Sequence, residues 1–330
     1  MESYHNDSVP VLSVMMVTYN QEKYIQQSVE AVLCQSFRDF EFIIVDDGST
    51  DQTPQLLAGF DDSRITLLSN DGNRGISYSR NRAMAATSGE LAAFVDSDDL
   101  VHPKRFEKQV AFFKGHSDYT LTGTSVLLIN QHDTVLKPWR LNRTNRTLKP
   151  MMAFHNCFIT SSVMFRRGMA VDFIFPESLG AGEDYLLWWH LLQRGKGCVT
   201  ADLLTSYRVH PQSTMQRAAD TIARSEEEVY RKLFEDLSIQ VDETLLDLHL
   251  MLKGGEKIYS AGEAMRMRDW LLQLAGSMAA ADGFSPAGTL AVVLNRWWKV
   301  CAMSKHNFRL FVQCFFHLPF YFRLIKTCLP

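Results

Sequence analysis

Short apolar runs alternate with segments of helical periodicity along the first hundred residues. The run VLSVMMVTYN (residues 11–20) is almost continuously apolar and ends in a polar turn, and the next segment repeats apolar residues at helical spacing. The same unit recurs at FEFIIVDDGSTD, RITLLSN and ELAAFVDSDD. Buried strands that alternate with helices predict a parallel sheet covered on both faces.

The periodicity changes along the rest of the chain. An amphipathic helix is predicted at 104–114, and the polar stretch at 131–150 is predicted to be a loop. Further strands are predicted at YTLTGTSVLLI and CFITSSVMFRR, with a helix at GEDYLLWWHLLQRG. Helical periodicity dominates after residue 215, so we predict an α/β domain over residues 1–214 and a helical region over residues 215–330.

Charge and cysteine spacing narrow the class of protein. The 330 residues carry a formal net charge of -3, which disfavours a general nucleic-acid binder and favours a small partner. The six cysteines form no Cys-x-x-Cys pair, as is typical of reduced thiols in a cytosol. The polar start MESYHNDSVP resembles neither a secretory signal nor a transit peptide, which predicts a cytoplasmic location.

An acidic cluster follows the fourth predicted strand, in FVDSDDLVHP. Asp96, Asp98 and Asp99 are crowded there. Two like charges about 4 Å apart repel by roughly 4 kcal/mol at an effective dielectric near 20, so a cation is expected. Mg²⁺ and Mn²⁺ prefer carboxylate and phosphate oxygens. The alternative is a solvated loop in which one aspartate caps the helix after Pro103.

The turns after the first three predicted strands carry further candidates. In VDDGSTD, Thr50 or Asp51 could simply cap the next helix, but capping does not account for the adjoining pair Asp46 and Asp47. The carboxylates of that pair could accept hydrogen bonds from a nucleobase or a ribose. The first turn, VTYN, is compatible with an ordinary turn between a strand and a helix.

The third turn, NDGNRGISYSRNRA, offers groups that suit a diphosphate. Gly75 permits close backbone approach, and Arg80 complements a diphosphate or the neighbouring acids. Asn73 lies in the same turn. The alternative for the arginines of this segment is a solvated surface position.

Two later segments carry candidate catalytic and ligating groups. Glu183 and Asp184 open a predicted helix, where acids complement the helix dipole, but one of them could instead act as a general base. His210, in YRVH, could be a metal ligand or a hydrogen-bonded loop histidine.

The motifs VTYN, VDDGSTD, NRGISYSRN, FVDSDD, GEDY and YRVH, in this order, resemble family-2 glycosyltransferases of the GT-A fold over about residues 10–214. The resemblance implies a Rossmann-like, mostly parallel mixed sheet flanked by helices, here with an additional C-terminal helical region. It also implies transfer of a sugar, with inversion, from a nucleotide-diphosphate donor, with UDP as the favoured nucleotide. Val17 departs from the proline that many relatives have before the Thr-Tyr-Asn turn.

The resemblance also implies roles for the candidate residues. The implied donor-binding residues are Thr18, Tyr19, Glu22, Asp46, Asp47, Asn73, Gly75, Arg80 and Asp96. The implied ligands of Mn²⁺ or Mg²⁺ are Asp98 first, then Asp96, Asp99 and His210. Asp184 is the implied general base, with Glu183 beside it.

The C-terminal end is basic and aromatic. No Asp or Glu follows Asp282, while lysines and arginines interleave with aromatic residues over 296–330. No stretch reaches the roughly 20 apolar residues of a spanning helix, so an interfacial helix on an anionic membrane is the hypothesis. The alternative is a helix packed on its own domain or on a second copy in a homo-oligomer.

Together these features predict an inverting, metal-dependent glycosyltransferase of surface polysaccharide or lipid-linked glycan synthesis, peripheral on the cytoplasmic face of a membrane. A nucleotidyltransferase is one alternative, but it would show a glycine-rich, lysine-bearing first turn where this chain has VTYNQEKY. A noncatalytic, nucleotide-sugar-binding scaffold subunit is the other.

Overall fold

The structure is a computed structural model that describes residues 9–210, 219–254, 260–303 and 317–329. Residue contacts divide the chain into two compact units. One comprises Met1–Asn142 and Phe158–Ser225, and the other comprises Arg143–Cys157 and Glu226–Pro330. Residues 1–8, for which no targeting signal was predicted, and the part of the basic tail at 304–316 lie outside the described residues.

The first unit is built on a mixed sheet. Its strands are β1 (Leu12–Thr18), β2 (Phe40–Asp46), β3 (Ile65–Ser69), β4 (Leu91–Phe94), β5 (Leu100–Val101), β6 (Tyr119–Asn130), β7 (Val135–Trp139), β8 (Met164–Arg166) and β9 (Lys196–Val209). The strand order is β3-β2-β1-β4-β8-β6-β9-β5, and β7 pairs with β6. The helices of this unit are α1 (Ile25–Leu33), α2 (Thr53–Ala58), α3 (Ile76–Ala85), α4 (Arg105–Gly115) and α6 (Glu183–Arg194).

The parallel half of the sheet, β3-β2-β1-β4, aligns the carboxyl ends of its strands. Thr18 lies opposite Asp46, and Asp46 lies opposite Ser69. These strands are apolar and buried on both faces, as their continuous hydrophobic runs predict. The polar turns that follow them therefore meet at one edge of the sheet, where ligands of open α/β sheets bind.

The other half of the sheet mixes directions. Strand β8 is antiparallel to β4 and β6, β9 is parallel to β6, and β5 is antiparallel to β9. The β5–β9 pair brings Leu100 opposite Ser206. As a result, the acidic segment just before β5 lies against the last residues of β9.

The prediction of a loop over residues 131–150 is wrong. The segment contains β7 and most of α5 (Asn145–Met152). All five residues of β7 are exposed, so this edge strand buries no face and shows no alternating pattern. Helix α5 contains Pro150, which normally argues against a helix, yet Leu148 and Met152 are fully buried.

The second unit is helical, which confirms the predicted C-terminal helices. Besides α5 it contains α8 (Glu243–Gly254), α9 (Ala261–Ala280), α10 (Pro286–Met303), α11 (Leu318–Cys328) and most of α7 (Ala219–Asp236). Aromatic side chains fill its core, with Trp270 and Trp297 almost fully buried. None of the helices in the described part of the chain is both long and apolar enough to cross a membrane.

Helix α5 joins the second unit through close contacts. Gly288 of α10 lies so near α5 that an added Cβ would be 1.7 Å from the carbonyl oxygen of Arg146. The ammonium of Lys149 donates to the Asp282 carbonyl at 2.8 Å. The segment 143–157 therefore packs with residues from beyond 226, although it lies within the predicted 1–214 domain. That predicted boundary stays a prediction.

Candidate active site

The carboxyl ends of β1 and β2 carry two interlocked turns. The Asn20 amide N–H donates to the Ser49 hydroxyl at 2.9 Å, and the Asn20 side chain accepts from the Thr50 amide at 2.8 Å. Asp46 accepts from the Ser49 amide at 3.2 Å and from its hydroxyl at 2.5 Å. Gly48 has a φ of +71°, and a Cβ there would lie 2.5 Å from Gly72, so this turn requires glycine.

The remaining candidates of the first turn differ in exposure. The Thr18 hydroxyl is buried and lacks a hydrogen-bond partner among the described residues. Tyr19 is 41% exposed, which leaves its ring accessible to a ligand. The Glu22 carboxylate accepts from the Gln52 amide at 3.0 Å, so it ties the first turn to the second.

Asp47 organises the third turn. Its Oδ1 accepts from the Asn70 amide group at 2.6 Å, from the Arg74 N–H at 2.9 Å and from the Ser79 hydroxyl at 2.9 Å. Its Oδ2 accepts from the Gly75 N–H at 2.9 Å. This 2% exposed carboxylate thus fixes the start of α3 against the end of β2. Asn70 is a residue of this network that the sequence analysis missed.

Two residues of the third turn, Asn73 and Gly75, were predicted to bind the sugar donor. Asn73 is exposed. Gly75 precedes α3 with a φ of +90°, and no atom lies within 4 Å of the position that a Cβ would take. Because its φ is positive, Gly75 allows its N–H to reach Asp47.

Arg80 is a buried cation that α3 places among three carboxylates. It forms an ion pair with Glu183, and its Nη2 lies 3.9 Å from Asp96 Oδ1. Burial acts to lower the pKa of Arg80, but the charges of Glu183, Asp184 and Asp96 outweigh it and raise that pKa. The guanidinium also lies 5.3 Å from the centre of the Phe94 ring. Arg80 therefore stays charged and gathers the acids of α6 and of the segment after β4.

The acidic segment after β4 distributes its carboxylates in different directions. Asp98 Oδ2 lies 2.9 Å from Nε2 of His210. Asp99 is 1% exposed, and its Oδ1 accepts from the Arg208 N–H at 2.8 Å. The backbone N–H of Asp96 donates to the Ser161 hydroxyl at 2.8 Å. Asp96 and Asp98 thus remain partly exposed, whereas Asp99 is turned into the protein.

Crowding and burial change the acidity of this segment. Burial, assisted by the charges of Asp98 and Asp184 and opposed by Arg80, raises the pKa of Asp96 to about 6. Burial and the charges of Asp98 and Asp96 raise the pKa of Asp99 well above its usual range. The Oδ2 atom of Asp99 is buried and has no hydrogen-bond partner among the described residues. A further positive charge near this segment would therefore be favoured.

Asp184 lies in the first turn of α6, directly after Glu183. Its Oδ2 accepts a hydrogen bond from the Thr160 hydroxyl. Thr160 begins a 3-10 turn, Thr160–Ser162, whose next residue binds the amide of Asp96. One short turn therefore holds both Asp184 and the acidic segment. Thr160 was missed because its partner lies 24 residues away in sequence.

Two buried arginines support the acidic segment and were also missed. Arg208 is 1% exposed, donates from Nε to the Asp98 carbonyl at 2.7 Å and forms an ion pair with Asp133. Arg105 is fully buried and donates to the Phe94 carbonyl at 3.1 Å. Burial lowers the pKa of Arg105 to about 9, against the opposing charges of Asp96 and Asp99. For Arg208, its place inside YRVH was the available signal.

The predicted metal ligands are only partly assembled. Among residues 9–210, 219–254, 260–303 and 317–329, no group of three or more His, Cys, Asp or Glu side chains is arranged to hold a metal ion. Asp98 and His210 do come together, with donor atoms 2.9 Å apart. That separation lets one cation contact both atoms, and Mg²⁺ and Mn²⁺ sites commonly complete their ligands with water and phosphate. The pair therefore offers two of the ligand atoms that a divalent ion would need.

The sequence matches the model of the family described as Glycosyl transferase family 2 over residues 13–172. A relative from Escherichia coli named UDP-Glc:alpha-D-GlcNAc-diphosphoundecaprenol beta-1,3-glucosyltransferase WfgD is 33% identical over 187 residues, which are 56% of this chain and 70% of the relative. A Bacillus subtilis relative named putative teichuronic acid biosynthesis glycosyltransferase TuaG is 33% identical over 190 residues, which are 56% of this chain and 73% of the relative.

Solved structures resemble the fold over most of the chain. Residues 1–349 of S. aureus TarS, in complex with UDP-GlcNAc, align with a TM-score of 0.59 and 22% identity over 88% of each chain. The mannosyltransferase PcManGT from Pyrobaculum calidifontis, in complex with GDP-Man and Mn²⁺, aligns with a TM-score of 0.55 and 16% identity over 98% of this chain and 88% of that one. The predicted GT-A fold is thereby confirmed.

Proposed function

The chain belongs to the family 2 glycosyltransferases, and from this premise we propose that it transfers a sugar, with inversion, from a nucleoside-diphosphate donor to a hydroxyl of a lipid-linked glycan. The observation that carries the proposal is that Asp184, held by the Thr160 hydroxyl, lies within electrostatic reach of Arg80, which itself pairs with Glu183 and Asp96. One site then offers a proton acceptor and a place for an anionic leaving group.

Asp184 is the proposed general base. Its carboxylate would accept the proton of the acceptor hydroxyl while the hydroxyl oxygen forms a bond to the anomeric carbon. The bond from that carbon to the diphosphate oxygen breaks, and its electron pair leaves with the nucleoside diphosphate. Because attack and departure occur on opposite faces, the configuration inverts. The Thr160 hydroxyl would keep the carboxylate in the orientation that this step needs.

Glu183 has a different proposed role from its neighbour. It is 4% exposed and engaged by Arg80, and burial raises its pKa despite that partner. A carboxylate that is buried and paired is poorly placed to collect a proton from an incoming acceptor. We therefore assign Glu183 to positioning Arg80, and the proton transfer to Asp184.

Mn²⁺ is the proposed cofactor, and Mg²⁺ is the second choice. Asp98 and His210 would hold it, because their donor atoms are adjacent and an imidazole nitrogen suits a transition metal better than Mg²⁺. When bound, the ion would neutralise charge on the diphosphate. Asp96 would face the donor, whereas Asp99 is 1% exposed and turned towards the Arg208 amide, so we do not propose it as a ligand.

UDP is the proposed donor nucleotide. The WfgD name specifies UDP-Glc and a TarS structure contains UDP-GlcNAc, although PcManGT contains GDP-Man. The nucleoside would lie on the interlocked turns, bordered by the exposed ring of Tyr19 and by Glu22. Asp47 already accepts four hydrogen bonds from protein groups, so we propose that it shapes this pocket rather than binding the base directly.

The proposed setting is polysaccharide synthesis at the cytoplasmic face of a membrane. The names of the relatives include teichuronic acid biosynthesis, O-antigen biosynthesis and a diphosphoundecaprenol-linked acceptor. An acceptor of the last kind is confined to a bilayer, so an enzyme that uses it must reach the membrane surface.

The test is a panel of nucleotide sugars incubated with the full chain, with Mn²⁺, with Mg²⁺ and with EDTA. The proposal expects release of nucleoside diphosphate, by transfer or slow donor hydrolysis, that EDTA suppresses. Release of pyrophosphate would instead indicate a nucleotidyltransferase. Donor binding without turnover, with lipid-linked acceptors supplied, would indicate a noncatalytic scaffold.

A further inference from the structure

Helix α11 of the second unit has two apolar faces. One packs inward, with Phe320, Leu324 and Cys328 fully buried, and the Phe320 ring centre lies 4.6 Å from that of Trp297. The other is exposed: Phe322 is 72% and Ile325 47% accessible, and Leu329, the residue directly after the helix, is 48% accessible. Positions 322, 325 and 329 follow a helical spacing, so these side chains form one stripe.

Two cations flank this stripe. Arg323 and Lys326 are exposed, and neither has an ion-pair partner among the residues that the structure describes. We call the residues Phe322, Arg323, Ile325, Lys326 and Leu329 the docking face. The sequence contains no acidic residue after Asp282, so this end of the chain offers no neighbouring charge in sequence to neutralise the face.

A shallow, open cleft adjoins the docking face. It lies between α9 and α11 and is lined by Leu272, Gln273, Arg323, Lys326 and Thr327. Two cations with an amide and a hydroxyl are the groups that bind phosphate oxygens. The apolar stripe and the cleft therefore offer, side by side, what acyl chains and a phosphate headgroup require.

We propose that the docking face binds a bilayer that contains anionic phospholipid. Phe322, Ile325 and Leu329 enter the boundary between headgroups and acyl chains, while Arg323 and Lys326 bind lipid phosphate at the cleft. Such a face gives reversible binding that depends on both apolar burial and charge. This proposal rests on the proposed function in one respect: membrane binding would serve to bring the enzyme to a lipid-linked acceptor.

The positive charge of the docking face favours an anionic bilayer over a second copy of the chain as its partner. In a twofold dimer through this face, Arg323 and Lys326 would meet the same cations of the partner, and like charges repel. Five side chains also fall far short of the roughly 20–30 residues a side that a standard interface uses. An anionic bilayer complements the charge and needs only a few inserted side chains.

The test is sedimentation of the full chain with vesicles of phosphatidylcholine containing about 30 mol % phosphatidylglycerol, and with pure phosphatidylcholine. Each cation near an anionic surface contributes about fivefold in binding, so Arg323→Gln with Lys326→Gln should weaken it about 25-fold. Phe322→Ser with Ile325→Ser should weaken it at least about tenfold. The matched control replaces two exposed lysines, Lys104 just before α4 and Lys114 in its last turn, by glutamine and should bind like the wild type.

The outcomes separate the alternatives. Binding that requires phosphatidylglycerol, falls at high salt and is lost in both docking-face variants supports the proposal. Equal sedimentation of variants and wild type overturns it. It is also overturned if light scattering shows that the wild type is a dimer and the Phe322→Ser, Ile325→Ser variant is a monomer. The rate of donor hydrolysis without vesicles should be the same in all these proteins. If the proposed enzymatic function is wrong, this hydrolysis will be absent, while vesicle sedimentation will be unaffected.

Discussion

The Thr160 hydroxyl offers a direct probe of how the proposed base is held. Thr160→Val keeps the shape of the side chain and removes the hydrogen bond to Asp184 Oδ2. A hydrogen bond to a charged group contributes about 1.5–3 kcal/mol. If that amount is lost from transition-state stabilisation, kcat falls roughly 10- to 150-fold. Some activity should remain, because α6 still carries the carboxylate.

The assay is steady-state release of nucleoside diphosphate with saturating acceptor. We expect a lower kcat with little change in the KM for the donor, because the donor-side turns are built from other residues. Thr160→Ser is the matched control, and its retained hydroxyl should restore most of kcat. A Thr160→Val enzyme with wild-type kcat, or a Thr160→Ser enzyme as impaired as the valine variant, would refute this role.

Two further predictions concern stability. The folded pKa of Asp96, about 6, exceeds its usual value of 3.8, so ionisation opposes folding as the pH rises between these values. Asp96→Asn should therefore raise Tm at pH 7.5 and have no such effect below about pH 4; a lower Tm at pH 7.5 would contradict this. Gly288→Ala should lower Tm, because its Cβ would overlap the Arg146 carbonyl, with a cost of about 1–3 kcal/mol. The control is Gly276→Ala in α9, where the added Cβ would lie 3.9 Å from the Thr327 side chain, an ordinary contact, and should stabilise the fold by up to about 1 kcal/mol. If both variants shifted Tm equally, the clash at Gly288 would not be the cause.

The position of the site was predictable because it depends on a regular property of parallel sheets. Continuous apolar runs locate β1, β2 and β4, and parallel strands place their carboxyl ends together. The structure places Thr18 opposite Asp46, so the two carboxyl ends do meet. The motifs at those ends could therefore be assigned to one edge of the sheet from the sequence alone.

The supporting contacts were not predictable, for identifiable reasons. Strand β7 is fully exposed and shows no periodicity. Thr160 contacts Asp184 only through the tertiary fold. Arg105 and Arg208 are almost completely buried, against the strong tendency of arginine to be exposed, and their carbonyl and carboxylate partners lie far away in sequence. Local pattern contains no information on such pairings.

The central claim is that the Asp184 carboxylate removes the proton from the acceptor hydroxyl. The most direct test compares Asp184→Asn with the wild type in transfer to a lipid-linked acceptor, with donor affinity measured by calorimetry on the same samples. We expect transfer to fall by at least about 100-fold while the Kd for the donor stays within a few-fold. Wild-type turnover by Asp184→Asn would contradict it.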